Sequence, residues 1–87
     1  MNFVEKKIDV ITHHTTTGEM RPIRFQITLE DETKKAFNID QILKVNKLKK
    51  NRKLIRLYTC KTMINDTLRV FELKYYVSEH RWELYKI

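Results

Sequence analysis

The fold is decided by residues 57–76, LYTCKTMINDTLRVFELKYY, which contain two β-strand patterns on either side of Asn65 and Asp66. Apolar and polar residues alternate in both halves, as they do in half-buried strands. Asn65 and Asp66 both tolerate a positive φ, so they predict a two-residue hairpin turn. The predicted register pairs Cys60 with Phe71, Tyr58 with Leu73 and Arg56 with Tyr75.

A second tight turn is predicted at Ser78 and Glu79. It folds the last strand of the sequence back onto the strand that ends at Tyr76. Since two independent turns give one continuous apolar face across three strands, each supports the other. The pairs predicted by this turn are Tyr75 with Trp82 and Leu73 with Leu84.

Upstream of this hairpin the same alternation continues. Residues 7–13 predict a first strand with Ile8 and Val10 on one face, and residues 14–19 predict a polar loop. Pro22 is suited to the start of the next strand, where no ladder donor is lost. The clearest alternation of the chain places four residues on one face of this second strand: Ile23, Phe25, Ile27 and Leu29.

Residues 30–33 form a predicted acidic turn, and a third strand follows with Phe37 and Ile39 on its apolar face. The register allows a loop of three or five residues between these strands. Residues 39–48 fit either a strand or a short helix that begins at Asp40, and we favour the strand. A turn is predicted over residues 49–52.

These patterns predict a single all-β domain over residues 1–87, with residues 1–5 disordered. We expect six or seven strands in a small antiparallel barrel or a strongly bent sheet, SH3-like or OB-like. A two-layer sandwich is the alternative, because strand order cannot be read from spacing. The predicted buried residues are Phe25, Ile27, Phe71, Leu73, Trp82 and Leu84.

Composition suggests where the protein works. Cys60 is the single cysteine, which excludes an intramolecular disulfide and suits a reducing compartment. No apolar run resembles a signal peptide or approaches the roughly 20 residues that span a bilayer. We therefore expect a cytoplasmic protein that does not enter a membrane. A glycine-rich phosphate loop is excluded because Gly18 is the only glycine.

Positive charge is concentrated in residues 41–65, which contain eight lysines and arginines and no acid. The net charge of the whole chain is +7, so the remainder of the chain sums to −1. Such a segment attracts anions. We therefore predict a small binding module for nucleic acid, in which Tyr76 and Tyr85 are the exposed rings. The predicted phosphate contacts are Lys44, Lys47, Lys49, Lys50, Arg52, Lys53 and Arg56.

Two alternatives compete with nucleic acid. The segment could dock an acidic protein partner, or the chain could form homo-oligomers through an unpaired edge strand. The lysines could also serve only to prevent aggregation of an edge strand. Exposed aromatic residues beside the basic segment would favour nucleic acid, whereas an apolar patch with a charged rim would favour a protein partner.

Neither a metal, a cofactor nor an enzyme activity is predicted. His13 and His14 are adjacent in a strand, so their side chains point to opposite faces. Adding His80 and Cys60 gives no recurring zinc spacing. Cys60 is expected in the core as a small hydrophobe, and the acidic residues 30–32 are expected in solvent.

Three segments resemble short uncharacterised proteins of Firmicute bacteria: RPIRFQI at residues 21–27, LYTCKTMINDTLRVFELKYY at residues 57–76 and HRWELYKI at residues 80–87. The spacing of Cys60, the FEL triplet at residues 71–73 and the ending from Trp82 to Tyr85 recur together. This resemblance implies a small β-rich bacterial protein and supplies no activity, ligand or site residue.

Overall fold

The structure, a computed structural model, describes residues 3–87 and contains seven β-strands in that range. No helix that could span a membrane is found among these residues. The strands are β1 (Phe3–His14), β2 (Met20–Thr28), β3 (Lys34–Asn38), β4 (Gln41–Lys50), β5 (Lys53–Ile64), β6 (Thr67–Tyr76) and β7 (Arg81–Lys86).

All seven strands belong to one antiparallel sheet in the order β3-β2-β1-β7-β6-β5-β4. Each strand pairs with its neighbour in sequence, except that β7 also pairs with β1, and β3 and β4 lie at opposite ends of the sheet. The sheet curls strongly into a half-barrel. The prediction of an all-β bent sheet is confirmed, and the two facing sheets of the sandwich alternative do not form. The finer likeness to an SH3-like or OB-like barrel stays a prediction.

The two ends of the curled sheet meet at Ile39 and Asp40, which join β3 directly to β4. The Ile39 N–H donates to the carbonyl of Ile23 in β2, at 2.9 Å. The next N–H, that of Asp40, donates to the carbonyl of Lys61 in β5, at 3.1 Å. Consecutive residues therefore bond to opposite ends of the sheet, and a single bent segment closes the barrel at this point.

The β5–β6 hairpin has the predicted register. Asn65 and Asp66 adopt φ values of 49° and 62°, which is the backbone that a two-residue hairpin turn requires. Both Cys60↔Phe71 and Tyr58↔Leu73 are observed pairs. The pairs Tyr75↔Trp82 and Leu73↔Leu84 are also observed, although the loop at 77–80 is wider than a two-residue turn.

The core lies on the concave face of the sheet, where the side chains of five strands meet. Cys60, Phe71 and Leu73 are fully buried at its centre. Phe25 brings β2 into this cluster, with its ring centroid 5.3 Å from that of Phe71. Five of the six predicted core residues are buried, and Ile27 is half-buried against the cluster.

The position of Ile23 was predicted wrongly. The pairing of β1 with β2 shifts by one residue between Ile11 and Thr12, so Thr12 lies opposite Pro22 instead of Ile23. A bulge of this kind reverses the alternation of side chains along the strand. Pro22 consequently occupies the buried position, and Ile23 is 46% exposed.

The structure decides the boundaries that the sequence left open. Residues 41–50 form the strand β4, as we favoured, and the loop between β2 and β3 has five residues, 29–33. The turn predicted over residues 49–52 is narrower, at Asn51 and Arg52. Residues 3–5 form the start of β1, whereas residues 1 and 2, also predicted to be disordered, lie outside the described residues.

Candidate functional site

The seven predicted phosphate contacts all lie on the β4–β5 hairpin. Six of them are exposed, and Arg56 is half-buried. Two strands and one turn therefore bring the cations together on a single ribbon. Lys44, Lys47, Lys49 and Lys50 are on β4, Arg52 is in the turn, and Lys53 and Arg56 are on β5.

The cations are divided between the two faces of this ribbon. Lys47 lies opposite Arg56, and two residues earlier Val45 lies opposite the buried Tyr58. Residues two apart in a strand point to the same face, so Lys47 and Arg56 share the concave face with Tyr58. Because successive residues of a strand point to opposite faces, Lys44 and Lys50 belong to the convex face. Sequence reasoning treated them as one patch, since it could not tell which residues of β4 faced inward.

The tip of the hairpin concentrates the charge further. Lys49, Lys50, Arg52 and Lys53, here called the basic tip, lie within five consecutive residues. Asn51 and Arg52 adopt φ values of 51° and 65°. A left-handed backbone at arginine is costly, by about 1 kcal/mol relative to the usual conformations. Arg52 adopts this strained conformation in a turn where glycine would fit without strain.

Few acids neutralise the hairpin. Within residues 3–87, its one ion pair joins the Lys53 ammonium to a Glu79 carboxylate oxygen at 3.5 Å, and both side chains are exposed. Such a pair contributes about 0 to 1 kcal/mol. The hydrogen bond from Arg81 and the charge of Lys53 lower the pKa of Glu79. The remaining cations of the hairpin are therefore available to an external anion.

An open groove, here called the seam groove, runs between β4 and the first half of β2. Its volume is about 830 Å³. Met20, Ile42, Val45 and Tyr58 form an apolar floor, and the Tyr58 hydroxyl donates to the Met20 carbonyl at 3.2 Å. Lys47, Arg56 and Arg21 line it as cations. The two acids of the lining are Glu19, which pairs with Arg21 at 3.2 Å, and Asp40, which accepts a hydrogen bond from the Met63 N–H.

Sequence reasoning missed the seam groove. β2 and β4 are separated by β3 in the sequence and stand near opposite ends of the sheet. The spacing of residues along the chain does not predict that the two ends of the sheet are joined at Ile39, or that a groove then separates β4 from β2. The one local signal was Pro22, which has no N–H to donate to a ladder.

Tyr76 and Tyr85, predicted as exposed rings, lie half-buried on the convex face. The Arg81 guanidinium is 4.0 Å from the ring centre of Tyr76. The Lys74 ammonium is 5.1 Å from Tyr76 and 4.7 Å from Tyr85, and the Lys86 ammonium is 5.4 Å from Tyr85. These cation–π contacts occupy both rings, so neither is a free platform for a nucleic-acid base.

The other candidate residues are placed as follows. His13 and His14 are exposed at the end of β1, and no three metal-binding side chains converge within residues 3–87. Cys60 is fully buried, and its burial raises the pKa of the thiol to about 12. Asp31 accepts hydrogen bonds from the hydroxyl and the N–H of Thr33, which lower the pKa of Asp31.

Comparison with protein-family models, with curated proteins and with solved structures finds no match. The resemblance to short Firmicute proteins therefore stays a prediction.

Proposed function

We propose that this chain is a small binding module for nucleic acid and that the β4–β5 hairpin contacts the phosphates. The observation that carries the proposal is the set of seven cations on the β4–β5 hairpin. Among the described residues, these cations form one weak ion pair, between Lys53 and Glu79. Lysine and arginine on such a surface release condensed counterions from nucleic acid, and this release drives non-specific binding.

The distribution of the cations favours a duplex over a single strand. The exposed cations lie along β4, the edge strand of the sheet, and at the basic tip, where they can contact the backbone phosphates of a duplex without reading its bases. Proteins that bind single strands rely on exposed aromatic rings, and here Tyr76 and Tyr85 are covered by cations.

The test is a titration of duplex DNA at several salt concentrations. If five phosphates are neutralised, log K falls with log salt at a slope of about −4 to −5, which is roughly a 500-fold loss between 50 and 200 mM. Reversing Lys49, Lys50 and Arg52 to glutamate nearly abolishes binding, because these residues supply most of the basic tip. Folding is retained, since all three side chains are exposed.

A matched control changes the same net charge elsewhere. Lys34 and Lys35 on β3 and Arg69 on β6 are exposed and lie outside the basic hairpin. Reversing these three residues to glutamate lowers affinity much less than the change at the tip. Equal losses of DNA affinity in both variants would show that only the net charge of the protein matters. Failure to bind any oligonucleotide at about 50 mM salt would contradict the proposal.

Self-association through β4 is disfavoured by the positive charge of that strand. β4 contains Lys44, Lys47, Lys49 and Lys50 and no acid. Pairing two copies of this strand would bring like charges together, which is destabilising. An acidic protein partner does not suffer this repulsion, and the seam groove is where it would bind.

A further inference from the structure

The free edge of β4 faces the seam groove. Lys50 and Lys53 flank the two-residue turn, so they form a hydrogen-bonded pair, and such pairs recur at every second residue. The pairs Leu48↔Ile55 and Asn46↔Leu57 follow in this series. The alternate residues Val45, Lys47 and Lys49 therefore direct their backbone N–H and C=O groups away from β5, and the first two of them line the groove.

β2 and β4 are not paired across the groove. Every Cα of β2 lies more than 8 Å from every Cα of β4, whereas paired strands have Cα atoms about 4.5 to 5.5 Å apart. Pro22, on the opposite wall, has no N–H to offer to a ladder. An inserted strand would consequently pair with β4 and pack against β2.

We propose that the seam groove binds an extended acidic peptide segment of a partner protein, which adds to the sheet at the edge of β4. This inference goes beyond nucleic-acid binding, and it shares Lys47, Lys49 and Arg56 with the proposed phosphate contacts. Main-chain hydrogen bonds to Val45, Lys47 and Lys49 supply affinity, as in other cases of strand addition.

The side chains that line the groove specify the chemistry of this peptide. Lys47 and Arg56 are opposite one another on the same face, and like charges in that arrangement repel. Neither has an ion-pair partner among residues 3–87. A carboxylate placed between them removes the repulsion and forms charge-assisted hydrogen bonds.

The floor of the groove selects the neighbouring residue of the peptide. Met20, Ile42 and Val45 are apolar and incompletely buried. A strand paired with β4 points every second side chain into the groove. The peptide therefore presents an apolar residue beside Val45 and acidic residues beside Lys47 and Lys49, alternating with residues that face solvent.

Nucleic acid fits this groove less well than a peptide does. Nucleotides cannot form the regular ladder that the backbone groups of Val45, Lys47 and Lys49 offer, and phosphates gain nothing from an apolar floor. A second copy of β4 would bring its four lysines against those of the first, which is destabilising. An acidic peptide satisfies the backbone edge, the cations and the floor together.

The experiment uses a fluorescent peptide with valine, glutamate and glutamate at alternate positions and serine between them. Binding is followed by anisotropy and by amide hydrogen exchange. The amides of Val45, Lys47 and Lys49 are expected to become protected when the peptide is added. The same peptide with its central glutamate replaced by proline binds at least about tenfold more weakly than the peptide with alanine at that position, because proline removes the backbone donor that an antiparallel strand directs at β4.

A variant of the protein tests the edge itself. Val45→Pro removes an N–H that β5 does not use, so the native ladder survives while the added strand is blocked. We expect about a tenfold loss of peptide affinity and unchanged binding of duplex DNA. The double variant Lys50→Glu and Arg52→Glu shows the reverse pattern, since neither residue lines the seam groove.

These outcomes separate the two proposals. If the valine–glutamate peptide does not bind, or if Val45→Pro and the proline peptide bind as well as the originals, strand addition at β4 is overturned while nucleic-acid binding is untouched. If duplex DNA protects the amides of Val45, Lys47 and Lys49 and the peptide does not, the groove belongs to nucleic acid. Circular dichroism of Val45→Pro checks that the sheet remains folded.

Discussion

The hydroxyl of Thr62 in β5 donates a hydrogen bond to the backbone carbonyl of Asn38 in β3. These two strands are not neighbours in the ladder of the sheet. Asp40 adds a second link nearby, because its carboxylate accepts a hydrogen bond from the N–H of Met63 at 2.9 Å. Side chains, as well as the backbone of the bent segment, therefore hold the two ends of the curled sheet together.

Replacing Thr62 by valine should weaken this closure. The change preserves the shape of a side chain that is 2% exposed, but it leaves the Asn38 carbonyl without its donor. We expect the free energy of unfolding to fall by about 1 to 3 kcal/mol in urea denaturation. Thr62→Ser, which keeps the hydroxyl, should lose less, and equal losses would show that the hydrogen bond contributes nothing.

Phe71 should be the most sensitive position of the core. It is fully buried, and truncation to alanine removes its contact with Phe25 and leaves a cavity. The expected loss is about 3 to 5 kcal/mol, a large part of the stability of a domain of this size. Val70→Ala is the matched control, because Val70 is adjacent on β6 and 39% exposed. Thermal denaturation of both variants measures the difference, and similar melting temperatures would place Phe71 outside the core.

Cys60 should be chemically quiet in the native protein. Burial raises the pKa of its thiol from 9.0 to about 12, so almost no thiolate exists near neutral pH. Dithionitrobenzoate at about pH 8 should react roughly a thousandfold more slowly with the folded than with the unfolded chain. Rapid labelling of the native protein would show that the β5–β6 hairpin opens or that the thiol is exposed.

The same shift predicts lower stability in alkali. The pKa of Cys60 is raised in the folded state, so the protein retains its full stability below the unfolded value near 9.0 and loses stability as pH rises toward about 12. The loss amounts to at most about 1.4 kcal/mol per pH unit in that range. Cys60→Val should lack this part of the pH dependence, and identical pH profiles for the two proteins would contradict the assigned shift.

Arg52→Gly should separate stability from binding. Glycine adopts a positive φ without strain, so the variant should gain about 0.5 to 1 kcal/mol of stability and a few degrees in melting temperature. It also loses one phosphate contact, which should make the salt slope for duplex DNA shallower by about 1.

The chain offers a matched control for this change. Asp66 occupies the corresponding position of the β5–β6 turn, with φ at 62°. Asp66→Gly should gain less stability, because aspartate already tolerates a positive φ, and it should bind DNA at least as tightly as the wild type, because it removes a negative charge. Weaker DNA binding by both glycine variants would assign the effect to the backbone instead of to the charge of Arg52.

Local chemistry explains why much of the fold was predictable. Asn65 and Asp66 determine a turn, and the turn determines every pair of the β5–β6 hairpin down to Ile55↔Tyr76. Side-chain alternation then identified Phe71, Leu73 and Trp82 as core residues. These inferences depend on residues that are close in sequence.

The rest depended on relationships that a local pattern does not contain. The exposure of Ile23 follows from a bulge that is created by pairing with β1, and the seam groove follows from the curvature of the whole sheet. The basic residues were found by charge alone, but their division between two faces required the β4–β5 register. Pairing and curvature that involve residues distant in sequence therefore determine the parts of the candidate site that sequence patterns left open.

The junction at Ile39 and Asp40 also determines how the barrel can deform. Its two N–H groups hold β2 and β5 respectively, and beyond it β4 is tied only to β5. The width of the groove beyond the junction is therefore set by the twist of β4 and β5 relative to β2, because no Cα of β2 lies within 8 Å of a Cα of β4. A change in that twist would expose or cover the apolar floor, and it would have to break the hydrogen bond from the Tyr58 hydroxyl to the Met20 carbonyl.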